Sequence, residues 1–450
     1  MDEGSGPWWK GVTGYQWLVF AVASGAWLFD TMDQRLFSLA RIPALGDLMG
    51  LPASHVDVQA FAKMVTALFL VGWGLGGLII GPLGDRYGRV RLLTISILLY
   101  SICTGITALC QTAGEFAALR FVTGLGIGGV FGLAVAIIVD TVDGPARLAM
   151  LAGLQLLSTV GNVGSAIVKM GVDGLARRDL IAVEAVWRWL FVVGALPALI
   201  AIVAILGIRE PRAWIERKER GQLPKGAFGA YVDLFGNSAE RRGLLIGSLL
   251  AVAGVVGLWG IGEYAVDLQH AVFTSYYAER LVPAQVAAAV ADAKNWAYML
   301  QMAGGAVGML VFTLIADRVG RRPAFLTCFA AAFVVTIFVY ARLQTPIDAY
   351  WMMPLMGAAQ FSLFAGFSIY LPELFGAAAR GTGVSFAYNL GRFAAAAGSF
   401  GSAWLSTSFF GGFDAPDPLR YSAMTMCVIF LIGLIAAWFA PETRGRPMPA

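Results

Sequence analysis

The chain is a succession of long apolar runs separated by short polar turns. About twelve of them lie near residues 13–33, 61–82, 92–110, 115–139, 148–171, 187–208, 243–264, 293–316, 324–342, 349–372, 382–404 and 422–440. A helix needs about 20 apolar residues to cross a hydrocarbon core about 30 Å thick, so each run predicts one membrane span. Composition agrees: 58% of residues are apolar, only 13% are charged, and mean hydropathy is +0.72. A water-soluble surface carries roughly 25% charged residues, so most of this surface must face lipid. The 55 glycines suit helices that approach closely in a bilayer.

Lys and Arg set the orientation. Placing both termini inside puts Arg86, Arg89, Arg91, the basic linker, Arg318, Arg321, Arg322, Arg444 and Arg446 on the cytoplasmic side. The start of the chain lacks the basic stretch and short apolar core of a cleaved leader, and is expected to remain as the first span. The longest polar stretch divides the chain into a six-span half at 1–208, a linker at 209–242 and a second six-span half at 243–450. Within the linker, "WIERKERG" predicts a short surface helix with Glu216 and Arg220 at i,i+4 spacing. The fold class expected is all-α, with twelve spans in two pseudo-symmetric bundles. The four cysteines fall inside spans and suggest no disulfide framework. A net charge of +4 gives no reason to invoke nucleic acid; a monomer in the bilayer is expected.

One charged turn occurs twice. "GPLGDRYGRVRLL" and "TLIADRVGRRPAFL" place Asp85 and Asp317 at equivalent points of the two halves, a little more than half the chain apart. The fourth and tenth spans end in "VDTVDGPAR" and "PELFGAAAR", in which Asp140 precedes Arg147, and Glu373 precedes Arg380, by seven residues. Parallel repeats are one way to build a carrier around a midplane site.

These residues resemble the major facilitator superfamily over essentially the whole length. The doubled turn resembles its G-x-x-x-D-R-x-G-R-[RK] signature, and "RFVTGLGIGG" its R-x-x-x-G-x-G-x-G pattern. "REPRAW", "PELF…RGTG" and "PETRG" look like its sugar-porter and aromatic-acid/proton-symporter branches. The resemblance implies cytoplasmic gates formed by Asp85, Arg86, Arg89, Asp140, Arg147, Asp317, Arg318, Arg321, Glu373 and Arg380. Topology anchoring alone would not need both signs at fixed spacing.

Ionisable groups inside spans carry the strongest functional signal, since each costs at least ~2.5–3.5 kcal/mol near the bilayer centre. Asp30 and Arg120 fall at matched depth and are expected to pair, giving a switch that a proton can break. The resemblance points the same way, because proton-coupled sugar porters set an acid of the first span against the arginine of the fourth. Asp33 completes "FDTMDQ" and is expected at the aqueous edge. Glu263 is the second-half counterpart of Asp30, at nearly the offset that separates the two charged turns, but without a matching arginine. Arg392, ten residues into the eleventh span, offers a fork of donors suited to a carboxylate, with Asn389 and Tyr388 assisting. Gln155, Asn162, Trp259, Tyr264, Gln301 and Gln360 are further cavity candidates.

The expectation is a carrier coupling protons to a small organic anion. A sugar or sugar acid is the alternative. A drug/proton exporter fits less well, since the fifth span, "GLQLLSTVGNVGSAIV", lacks the Gly-Pro pattern of that branch. No nucleophile–base set, phosphate loop or metal cluster points to an enzyme, a cofactor or a metal site.

Overall fold

The computed structural model describes residues 8–53, 55–414 and 416–449; the side chains at 202, 205, 263 and 399–403 lie outside that description. All regular structure among the described residues is helical, in two units. The first runs to Leu244 and also includes Leu371–Asn389 and the residues from Met448. It contains α1 (Gly14–Met49), α2 (Val56–Tyr87), α3 (Arg89–Thr107), α4 (Ala113–Gly128), α5 (Val130–Thr141), α6 (Gly144–Ala176), α7 (Val186–Gly194) and α8 (Ala198–Gly207). Two short linker helices follow, α9 (Arg212–Glu219) and α10 (Gly229–Gly236).

The second unit comprises Leu245–Tyr370 and Leu390–Pro447. Into it run α11 (Ser238–Val255), α12 (Gly262–Ala278), α13 (Pro283–Arg318), α14 (Arg321–Arg342), α15 (Pro346–Tyr370), α16 (Arg380–Trp404), α17 (Asp417–Met426) and α18 (Val428–Phe439). The start of α16 belongs to the first unit and its remainder to the second. Ten helical stretches among the described residues are long and apolar enough to cross a bilayer. With α1 (36 residues) and α16 (25 residues) there are twelve long segments, consistent with the sequence.

Local chemistry sets the helix ends. Thr13 with Gln16, and Thr112 with Glu115, form reciprocal capping boxes that start α1 and α4. Gly50, at φ 64°, stops α1. The helix thus runs through Met49, well beyond the expected end at 33. The charged and polar residues at 30–35 lower the hydropathy, yet Asp30, Asp33 and Gln34 are buried and the helix continues through them. The segment 265–292, between the seventh and eighth apolar runs, is mostly the end of α12 and the start of α13.

Both units pack one helix pair backbone to backbone. A Cβ on Gly76 of α2 would come within 2.0 Å of the Leu125 carbonyl oxygen on α4. One on Gly308 of α13 would meet the Ala358 oxygen of α15 at the same 2.0 Å. Gly76 and Gly308 are separated by the same offset as Asp85 and Asp317, so the repeat extends to the packing seams.

Candidate functional site

The first charged turn builds a buried cluster. Gly88, at φ 117°, lets the chain turn sharply between α2 and α3, where an L side chain would be strained. The three N–H groups that follow have no helical acceptors, and the Glu210 carboxylate supplies them. It accepts from Arg89 at 2.8 Å, Val90 at 3.2 Å and Arg91 at 3.0 Å. The second turn repeats this device. Gly320 sits at φ 128°, and Glu442 accepts from the N–H groups of Arg321 at 2.9 Å and Arg322 at 3.0 Å. Backbone donors hold the Glu442 carboxyl below its ordinary value, outweighing the opposing effect of partial burial. Glu210 and Glu442, in "REPRAW" and "PETRG", again keep the offset of the two turns. Reading the spans and the doubled turn alone does not mark them as site residues; that common offset is the signal that identifies them.

Asp85 is 1% exposed and caps the start of α16. Its carboxylate accepts from Thr382 N at 2.7 Å, Thr382 Oγ1 at 2.8 Å and Gly381 N at 3.2 Å. The guanidinium of Arg89, fully buried, donates to Asp85 at 3.0 Å and to the Ala377 carbonyl at 2.8 Å. Arg89 and Arg380 each donate to the Asp140 carboxylate, and Arg217 lies 3.8 Å from it. Burial, followed by repulsion from Arg89, lowers Arg217 to about 10, which leaves it charged at neutral pH. Trp214, on the linker helix α9, is buried and donates Nε1–H to the Asp85 carbonyl at 2.9 Å. The linker is therefore built into the cluster, while its outer pair, Glu216 and Arg220, lies exposed at 3.8 Å.

Four of the expected gate residues, Asp85, Arg89, Asp140 and Arg380, meet in this way. Arg147 does not join Asp140: it bonds the Val142 carbonyl at 2.7 Å and pairs with Asp143 one turn away. An acid four residues back on the same helix end is within easier reach than one on α5. Arg86 is half-buried, Asp317 and Arg318 are exposed, and Arg321 and Glu373 are half-buried in their own units.

Deeper in the first unit, Arg120 has a different partner from the one its depth predicted. Its Nη1 lies 3.6 Å from Asp33, not Asp30, and its Nη2 donates to Thr104 at 3.2 Å and Thr107 at 2.7 Å. Thr104 in turn donates to Asp33 at 2.8 Å, and the guanidinium lies 4.8 Å from the Phe191 ring centre. Asp33 and Arg120 are both 0% exposed, so Asp33 is not at the aqueous edge. The longer α1 carries it into the interior, one turn past Asp30, which is also fully buried.

Tyr388 stacks on Phe131 at 4.1 Å and meets Trp27 edge-on, while Asn389 donates to the Gly128 carbonyl at 3.2 Å. Gln155 buries a side-chain oxygen that no described group bonds. Asn162 returns its amide to Ser158 of its own helix at 3.0 Å. In the second unit Arg392 and Tyr264 are buried, Gln301 is half-buried and Trp259 is exposed on a π-helical turn at Val256–Ile261. Gln360 donates to Thr336 at 3.1 Å and leaves its own oxygen without a described donor. Glu263 lies in α12 with its side chain outside the described residues.

Residues 28–278 match the family described as "Major Facilitator Superfamily", and residues 275–449 match "Sugar (and other) transporter". The chain is 26% identical over 441 residues to the "Probable 4-methylmuconolactone transporter" of Cupriavidus pinatubonensis, covering 97% of this chain and 93% of that one. It is 26% identical over 436 residues to the "Cis,cis-muconate transport protein" of Acinetobacter baylyi, covering 96% and 95%. Among solved structures, the Escherichia coli proton:xylose symporter XylE shares the fold with a TM-score of 0.74 at 18% identity, over 96% of this chain and 98% of that one. A duplicated, capped charge turn between apolar helices, in a chain whose first family match covers more than half its length, makes this protein a multi-pass membrane transporter of the major facilitator superfamily.

Proposed function

We propose that the carrier couples inward proton movement to uptake of a small organic anion by alternating access. The observation that carries this reading is the pair of fully buried carboxylates, Asp30 and Asp33, one turn apart on α1, with Asp33 against the buried Arg120. An arginine keeps its proton, whereas a carboxylate beside it can be neutralised, so one proton on Asp33 weakens the hold on Arg120. In this reading Asp33 is the coupling acid, with Asp30 and Glu263 as accessory groups. Arg392, buried halfway along α16, supplies the fork that receives a carboxylate, and Tyr388 and Asn389 precede it by about one turn of the same helix. The names of two relatives, a cis,cis-muconate carrier and a probable 4-methylmuconolactone carrier, favour an anion. The Asp85–Arg89–Asp140–Arg380 cluster serves as the cytoplasmic gate, made and broken as the carrier cycles.

The test is uptake into liposomes under an inward proton gradient, comparing muconate-type acids with neutral analogues of the same size. Accumulation of the acids is expected to fall at least tenfold in Asp33→Asn, while binding of the acid weakens in Arg392→Ala. Uptake of neutral analogues at the same rate, indifferent to pH and to Asp33, would overturn both assignments.

A further inference from the structure

Pro82 interrupts the ladder of α2: it has no N–H to offer the Leu78 carbonyl four residues earlier. A donor from elsewhere takes that place. The hydroxyl of Tyr231, on the linker helix α10, bonds Leu78 O at 2.7 Å. Leu78 lies four residues inside the end of its apolar run at Pro82. At ~1.5 Å per residue, the hydroxyl reaches about 6 Å into the apolar layer, which sets α10, a tyrosine side chain away, near the edge of that layer.

The surface of α10 suits that depth. Phe228, Val232 and Phe235, at i, i+4 and i+7, are 51%, 73% and 48% exposed. At ~100° per residue they fall within about 60° of one another. Ala230 and Leu234 are buried on the side that carries Tyr231, and Tyr231 and Phe235 both meet Phe386 of α16 edge-on near 6 Å. Exposed Asp233 and Asn237 occupy the remaining sector, and Lys225 and Arg241 flank the helix. The helix thus has three sectors: one against protein, one polar, and one apolar and largely exposed, centred on Val232 and bordered by Phe235 where it meets Phe386. On α2, to which Tyr231 bonds, Leu68, Val71, Leu75 and Ile79 form an exposed apolar stripe of the same character.

We infer that α10 is an interfacial lipid-binding helix, seated in the acyl–headgroup boundary of the bilayer and held at that depth by the Tyr231 hydroxyl on the carbonyl that Pro82 leaves without its donor. Its partner is the lipid itself: acyl chains under Phe228, Val232 and Phe235, and anionic headgroups beside Lys225 and Arg241.

Site-directed spin labelling tests this in the full-length carrier, reconstituted in liposomes of zwitterionic and anionic phospholipid. Labels at Val232→Cys and Phe228→Cys are compared with one at Lys225→Cys. The wild-type chain, whose four cysteines are buried, gives the background. Collision with oxygen is expected to exceed collision with a water-soluble nickel chelate several-fold at 232 and 228, and the order is expected to reverse at 225. Adding Tyr231→Phe is expected to shift the 232 label toward the chelate. Chelate access at 232 equal to that at 225 would overturn the inference. So would shielding from both reagents, since that would mean protein, such as a second copy, covers the face. An unchanged 232 label in Tyr231→Phe would overturn the assigned anchor.

Discussion

The two copies of the charged turn share a cap and differ in what their acid does. At Gly88 and Gly320 the backbone makes the same positive-φ turn, and at Glu210 and Glu442 the same carboxylate closes the next helix. Asp85 is buried against the start of α16, whereas Asp317 is exposed. The difference separates two kinds of information. The cap is local in its requirements: a left-handed glycine, free N–H groups and one acid, set equally far along the chain in each half, suffice to define it. The role of the aspartate is tertiary, since it depends on whether a helix start is brought to it.

The two roles come apart most clearly when each aspartate is removed. Asp85→Ala removes one of the two carboxylates that hold the buried Arg89 and leaves the α16 start uncapped, and is expected to cost about 3–5 kcal/mol. Asp317→Ala is expected to leave the melting temperature in detergent within error. Equal losses, measured by thermal unfolding of the purified protein, would show that the copies are not distinct. The caps are expected to behave alike: Glu210→Ala and Glu442→Ala should each cost about 1–2 kcal/mol, giving matched downward shifts in the same unfolding assay. A much larger loss in one would show that its carboxylate has a second task. The smallest effect is linked to pH. The Glu442 carboxyl is lowered in the folded chain, so its contribution is present above the ordinary glutamate value of about 4.3, and is lost as pH falls through the lowered value. The stability difference between wild type and Glu442→Gln should hold from neutral pH to about 4 and shrink below that; a difference that grows on acidification would reverse the sign.

Much of this was legible in the sequence because lipid allows so few solutions. Apolar runs and one repeated half-chain offset point to helical spans in two halves, and Asp85, Arg89, Asp140 and Arg380 stand out as charges of both signs at fixed spacing. The partner of Arg120 was not legible. Asp30 and Asp33 lie on one face of one helix, and choosing between them requires knowing that α1 runs on to Met49. Trp214 and Tyr231 were hidden for another reason. Both sit in a polar linker, where hydropathy marks solvent, and each docks through a single hydrogen bond to a main-chain carbonyl that no side-chain pattern reveals.

Asp140 has a consequence of its own. As a node in a network it has three edges, to Arg89, Arg380 and Arg217, whereas each arginine contributes one edge to it. Loss of a single arginine leaves the node connected, but loss of the carboxylate takes the shared anion from three cations in one small volume, where they repel one another and Arg89 alone keeps a second carboxylate, Asp85. Lesions here should therefore combine non-additively: a second substitution after Asp140→Asn that removes Arg217 should restore part of what the first took away.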